Sequence, residues 1–178
     1  SMFACSGYGI ISGYTGDPDV RTADELIPPY YESQCFSRDD FGEAGKPDKL
    51  SWDFSEYQPE AVVINLGTND GGAFHNPEWC DTATGRKNKM YLGADGQPAA
   101  ECLKKVEGAV TGFLKTVRKN NPSAYVLWAY GMMGTVVESG IKAGITAYCE
   151  ETGDERVRYI ALEEIQGEEI GARFHPGI

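Results

Sequence analysis

Apolar residues fall in two rhythms along this chain. Short continuous runs end in small or polar residues, and longer stretches repeat an apolar residue every three or four positions. The clearest run is Ala61-Val62-Val63-Ile64-Asn65, which stops in Leu66-Gly67-Thr68-Asn69-Asp70. It predicts a buried strand over 61–65 with a turn at its carboxyl end. Similar runs predict strands over 124–130 and 157–162, and a short one ending near Ser6. Between them, Leu103, Val106, Val110, Phe113 and Val117 are spaced for one face of a helix that Asn120-Asn121-Pro122 closes. Val137, Ile141, Ile145 and Tyr148 repeat that spacing before Thr152-Gly153. Strands alternating with helices need crossover connections, so the pattern predicts an α/β fold with a mostly parallel sheet, as a three-layer sandwich.

Elsewhere the rhythm breaks. Residues 11–60 carry Gly13, Gly16, Pro18, Pro28-Pro29, Gly42, Gly45 and Pro47, which predict loops with one short helix near 23–26. Trp52 and Phe54 are expected to plug the core ahead of the central strand. Residues 71–98 form a long insertion of the kind that often carries function. No repeat, low-complexity tract or linker divides the chain, so residues 1–178 read as one domain.

Composition narrows the partners. A formal charge of −11 repels a phosphate backbone or an anionic membrane, so neither nucleic acid nor membrane is expected, and a neutral glycan meets no such objection. The five cysteines include no Cys-x-x-Cys pair, which speaks against a zinc or redox site; no metal and no cofactor are expected. Cys102 and Cys149 fall in the helical patterns as small core residues, while Cys35 and Cys80 lie in loops and can pair in an oxidising compartment. Ser1-Met2 reads as an expression-tag remnant with no signal peptide behind it.

The chemistry available is short to search, because His75 and His175 are the only histidines. His175 sits in Gly171-Ala172-Arg173-Phe174-His175-Pro176-Gly177, after the last strand. An imidazole there can take a proton from a hydroxyl nucleophile and return it to a leaving alcohol; a His-Pro pair can also be only a turn. His75, in the Gly-rich insertion, has weaker credentials. Asn69, directly after the 61–65 strand, can aim its amide at a developing oxyanion or merely cap its own backbone. Gly7, in Ser6-Gly7-Tyr8-Gly9, can lend a backbone N–H or be a turn glycine. Trp79 and Tyr91 can stack on a pyranose ring or simply pack.

These residues carry a family resemblance. Leu66-Gly67-Thr68-Asn69-Asp70 resembles the third sequence block of the SGNH (GDSL-type) hydrolases, Ser6-Gly7-Tyr8-Gly9 the second, and Phe174-His175-Pro176 the fifth. Trp52-Asp53-Phe54, Trp128-Ala129-Tyr130-Gly131-Met132-Met133-Gly134 and Gly171-Ala172-Arg173-Phe174-His175-Pro176 are similar to carbohydrate esterase family 2. The blocks stand in family order across nearly the whole chain. The resemblance implies a flavodoxin-like sandwich and a secreted serine esterase that removes acetyl groups from polysaccharide through an acyl-enzyme. It implies His175 as general base, Gly7 and Asn69 as oxyanion donors, and Phe174 as a residue lining the cleft; Trp79 is the substrate-binding candidate offered by its aromatic ring in the insertion.

Two departures matter. Ala172 stands where many members carry the aspartate that orients the histidine; family 2 enzymes share this and can use a backbone carbonyl instead, and Asp70 or Glu169 are further candidates. No Gly-Asp-Ser block occurs in the 178 residues. The resemblance places that block upstream of residue 1 with the sheet's first strand, and a closing helix after Ile178. This predicts an amino-terminally incomplete domain, inactive by itself, whose exposed sheet edge a neighbouring chain can cover. Ser6 occupies the second block's position, in a turn that does not lead into a helix, and is a poor nucleophile candidate. The alternative is a glycan-binding module on the same fold that does no catalysis. A flavodoxin-like nucleotide binder is disfavoured because no Gly-rich loop opens a helix.

Overall fold

A computed structural model describes residues 6–14, 26–33, 51–76, 79–80, 87–88, 90–171 and 175–176. The elements follow in chain order: β1 (Ala61–Ile64), α1 (Thr68–Gly72), β2 (Trp79–Cys80), β3 (Lys87–Asn88), α2 (Ala100–Asn120), β4 (Tyr125–Tyr130), α3 (Glu138–Thr152) and β5 (Val157–Ala161). The main sheet has the order β1-β4-β5 with both pairings parallel, while β2 and β3 form a separate two-residue hairpin. The alternating reading therefore holds for three of the four expected strands. The strand ending near Ser6 lies mostly outside the described residues, as do Cys5, Cys35 and most of the helix expected near 23–26; Leu26 itself bridges Gly9 in parallel.

Helix α2 forms because its apolar stripe of Val106, Val110, Phe113 and Val117 has a sheet to cover; all four are buried. Its end is fixed by side chains. Asn121 Nδ2 donates to the Val117 carbonyl at 2.9 Å, and the Arg118 guanidinium donates to the carbonyls of Asn121 at 2.9 Å and Ala124 at 2.7 Å. Helix α3 ends at Gly153, whose left-handed φ of 68° turns its N–H back to the Cys149 carbonyl at 2.8 Å. Both crossovers step the same way across the sheet, so α2 and α3 share one face. Phe113 meets Trp128 edge-on at 6.3 Å on that face, beside Val126, Tyr130 and Val157. The sheet and helices match the flavodoxin-like arrangement.

The opposite face and one edge of the sheet differ in character. Cross-strand register puts Ala61, Val63, Tyr125 and Ile160 on the face away from α2, where Val63 is 65% and Tyr125 59% exposed. Among the described residues β1 pairs only with β4, so its outer edge carries no ladder. Tyr125 N–H bonds to the Glu60 carbonyl. A parallel ladder alternates, so Val62 and Ile64 face β4, while Ala61 and Val63 present N–H and C=O groups to the open edge.

Trp52 departs from expectation. It is 36% exposed rather than in the core. Asp53 caps the turn Phe54–Glu56 by accepting from Ser55 N–H at 2.9 Å, and Trp52 lines the groove beside β1. Phe54 is half-buried and packs on Tyr31 with ring centroids 5.3 Å apart.

Candidate active site

The carboxyl end of β1 runs through Asn65 and Leu66 into Gly67, which has a φ of 126°. A Cβ there would lie 2.9 Å from both Ile141 Cδ1 and Tyr130 Cε2, so glycine is required by conformation and by space. The turn then becomes helix α1, one turn long, where the sequence pattern suggests only a turn; five residues are too few to show a helical period. Tyr130 beneath it is buried and its hydroxyl pKa is pushed up to about 12, by burial foremost and by the Asp70 and Glu138 charges.

Helix α1 ties this turn to residues 8–12. Asn69 Nδ2 donates to the Tyr8 carbonyl at 2.8 Å, so the amide reaches across to another segment rather than capping its own backbone. Asp70 is fully buried and accepts from the N–H groups of Ile10 at 2.9 Å, Ile11 at 2.7 Å and Ser12 at 3.0 Å. Burial raises its carboxyl above the usual carboxylate range, against the opposing pull of those N–H groups.

A cleft of about 1180 Å³ lies at this end of the sheet and along the open edge of β1. Gly7, Asn69 and His175, the three residues expected to do the chemistry, all line it, as do Ser6 and His75. The Gly7 N–H has no partner among the described residues, and its carbonyl accepts from Tyr14 N–H at 2.7 Å. His175 is exposed, in a loop closed by the Gly171 N–H bond to its carbonyl at 2.6 Å and by the Ile170–Pro176 bridge.

Other assignments change or fall outside view. Asp70 cannot orient His175, because its carboxylate is spent on residues 10–12. Glu169 accepts from Gln166 N–H at 2.9 Å in a capping box. Among the described residues no carboxylate pairs with the His175 ring. Phe174, Ala172 and the side chains of Trp79 and Cys80 lie outside the described residues. Tyr91 is not in the cleft; the nearby Glu101 carboxylate raises its hydroxyl pKa. The exposed aromatic residues that do line it, among the described residues, are Trp52, Tyr57 and Tyr14, none of which the sequence marks as a platform. Among the described residues no group of His, Cys, Asp and Glu could hold a metal, and no helix is long and apolar enough to cross a membrane.

The parallel α/β sheet, with Gly7, Asn69 and His175 in the cleft at its carboxyl edge, is the arrangement that the sequence blocks lead one to expect. Comparison with known proteins agrees. No protein-family model matches the chain. It is 27% identical over 183 residues to the cellulase/esterase CelE of Acetivibrio thermocellus, covering all of this chain and 18% of that protein. An acetyl xylan esterase, Est2A from Butyrivibrio proteoclasticus, superposes with a TM-score of 0.82 at 32% identity, over 96% of this chain and 45% of that one. A family two carbohydrate esterase from Clostridium thermocellum, solved with cellohexaose, shares the fold with a TM-score of 0.58 at 24% identity, over 96% of this chain and 42% of that one. The chain therefore spans less than half the length of each. The resemblance to family 2 carbohydrate esterases holds.

Proposed function

We propose that residues 1–178 are the greater part of one SGNH-type hydrolase domain, a secreted carbohydrate O-acetyl esterase. In this reading a serine hydroxyl attacks the acetyl carbonyl, and His175 takes the hydroxyl proton. The Gly7 N–H and the free N–H of the Asn69 amide hold the oxyanion. Collapse expels the sugar oxygen, which takes the proton from His175, and leaves an acetyl-enzyme. Water, deprotonated by the same imidazole, releases acetate and restores the serine. The serine is not among the 178 residues in a Gly-Asp-Ser setting, and the open edge of β1 is where a strand carrying it would end beside Asn69.

The observation that carries this reading is the meeting of Gly7, Asn69 and His175 in one cleft at the carboxyl edge of a parallel sheet. The relatives' names supply acetylated polysaccharide as the substrate class. The exposed Trp52, Tyr57 and Tyr14 rings suit a sugar face, and by themselves they suit a non-catalytic glycan-binding module equally.

The test is a chromogenic acetate ester offered to the 178-residue chain, to its Ser6→Ala variant and to a longer natural chain extended upstream through the next serine block. Hydrolysis by the longer chain alone is expected. Activity in the short chain that survives Ser6→Ala sinks the missing-nucleophile reading. A longer chain that folds, binds oligosaccharide and never releases acetate leaves the binding module standing.

A further inference from the structure

Asp70 is a buried carboxylate with no cation beside it among the described residues and no contact with the cleft chemistry that the proposed function uses. Taking such a group out of water is expensive, and an apolar residue would fill the space without that cost. What it does instead is organise a loop. Three consecutive N–H groups, of Ile10, Ile11 and Ser12, converge on it; otherwise those of buried Ile10 and Ser12 would be unpaired. The wrap is tight enough that a Cβ on Gly9 would lie 1.9 Å from the Ser12 carbonyl oxygen and 2.9 Å from Asp70 Oδ2.

The neighbouring residue grips the same loop with the opposite polarity. Asn69 donates to the Tyr8 carbonyl at 2.8 Å while Asp70 accepts from residues 10–12. One primary amide has two N–H bonds, so the one given to Tyr8 sets the direction of the other. The Tyr8 carbonyl is held in turn by the loop that Asp70 anchors, and Gly7 stands at its start. The two oxyanion donors thus belong to segments about 60 residues apart in sequence that are fastened through adjacent side chains of α1.

We propose that Asp70 is a positioning residue that fixes the spacing and aim of the Gly7 N–H and the Asn69 amide. The inference rests on the esterase reading for its catalytic consequence, and its structural part can be tested without that reading. A misplacement of about 1 Å in such a site costs roughly a hundredfold in rate.

The experiment uses the longer natural chain and its Asp70→Asn variant, with active sites titrated so that rates refer to folded enzyme. The expected result is a kcat lower by about 10- to 100-fold at little-changed KM, together with faster hydrogen exchange of the Asn69 side-chain amide. A variant that is less stable but has wild-type kcat per titrated site and an unchanged Asn69 amide would show Asp70 to be only a fold-stabilising residue. If the variant does not fold, exchange in the wild type decides. The Asn69 amide and the Ile10, Ile11 and Ser12 N–H groups should open as one unit with a common protection, and separate openings overturn the proposal. If the wild-type longer chain has no esterase activity, the proposed function fails, while the exchange measurement still rules on the clamp.

Discussion

The Asn69 side-chain amide donates to the Tyr8 carbonyl at 2.8 Å, across 61 positions of sequence. That bond makes Asn69 a bridge between the end of β1 and residues 6–8, with its second N–H free to serve the cleft. Asn69→Ala removes both functions. On the proposed esterase reading, kcat of the longer natural chain should fall about 10²- to 10³-fold, the usual effect of losing one oxyanion donor, with KM little altered. The loss of the Tyr8 bond should also lower unfolding free energy by about 0.5–1.5 kcal/mol. Steady-state kinetics and urea denaturation separate the two. A fall confined to stability would remove Asn69 from the chemistry.

Much of this is legible in the sequence, and the rest has identifiable reasons for being hidden. The strands over 61–65, 124–130 and 157–162 and both long helices show because burial on a sheet face imposes a period. Helix α1 does not, because five residues carry no period. Asn69 is readable as an amide at a strand end, but its partner Tyr8 is not, since long-range pairing leaves no local pattern. Asp70 reads as a possible histidine orienter because a sequence shows an acid and not where it points; its backbone partners at residues 10–12 become visible only in three dimensions. Trp52 escapes the pattern because an aromatic residue ahead of a strand ordinarily packs inward, and here no described strand covers the adjoining edge.

Two glycines in the helix layer should respond oppositely to alanine. Gly144 of α3 faces α2, and a Cβ there would stand 2.7 Å from both the Glu107 carbonyl oxygen and Val110 Cβ. Thr111 Oγ1 also bonds to the Gly144 carbonyl at 3.0 Å, so the helices cannot part freely. Gly144→Ala should destabilise by about 1–3 kcal/mol through overpacking. Gly112 of α2 is exposed, and a methyl group added there would meet nothing within 4 Å. Gly112→Ala should therefore stabilise by about 0.5–1 kcal/mol through the entropy of the unfolded chain. Urea midpoints of the two variants check the signs, and equal effects would contradict the helix contact described.

The ion cluster at the far end of the sheet makes a pH prediction. Burial acts to raise the Asp154 carboxyl, but bonds from Arg156 N–H at 2.9 Å, Arg118 Nε at 2.7 Å and the Tyr148 hydroxyl at 3.0 Å outweigh it and hold the carboxyl below its usual range. A carboxylate with a depressed folded pKa contributes stability that is complete above its unfolded value of about 3.9 and is lost as pH falls through the folded value. Asp154→Asn should therefore be less stable than wild type at neutral pH, where it also leaves the largely buried Arg118 unpaired, and the gap should narrow in acid. Denaturation at pH 7 and pH 3 measures both gaps. A gap independent of pH would remove Asp154 from the linkage.

The open edge of β1 makes the last prediction, because its two sets of backbone groups have different jobs. Val62 N–H belongs to the ladder with β4, and Val63 N–H points to the side on which no described strand pairs. An unpaired, largely apolar strand edge is a template for another strand, whether from a second copy or from a longer version of the same chain. Val63→Pro deletes a donor that no ladder among the described residues uses, and proline is tolerated at such edge positions. Concentration-dependent self-association of the 178-residue chain should therefore weaken in Val63→Pro while the thermal midpoint changes little. Val62→Pro, which breaks the bond to β4, should lower the midpoint sharply. Analytical ultracentrifugation and thermal scans on the pair give the answer. Association that is indifferent to Val63→Pro would show that the edge of β1 is not the surface through which copies meet.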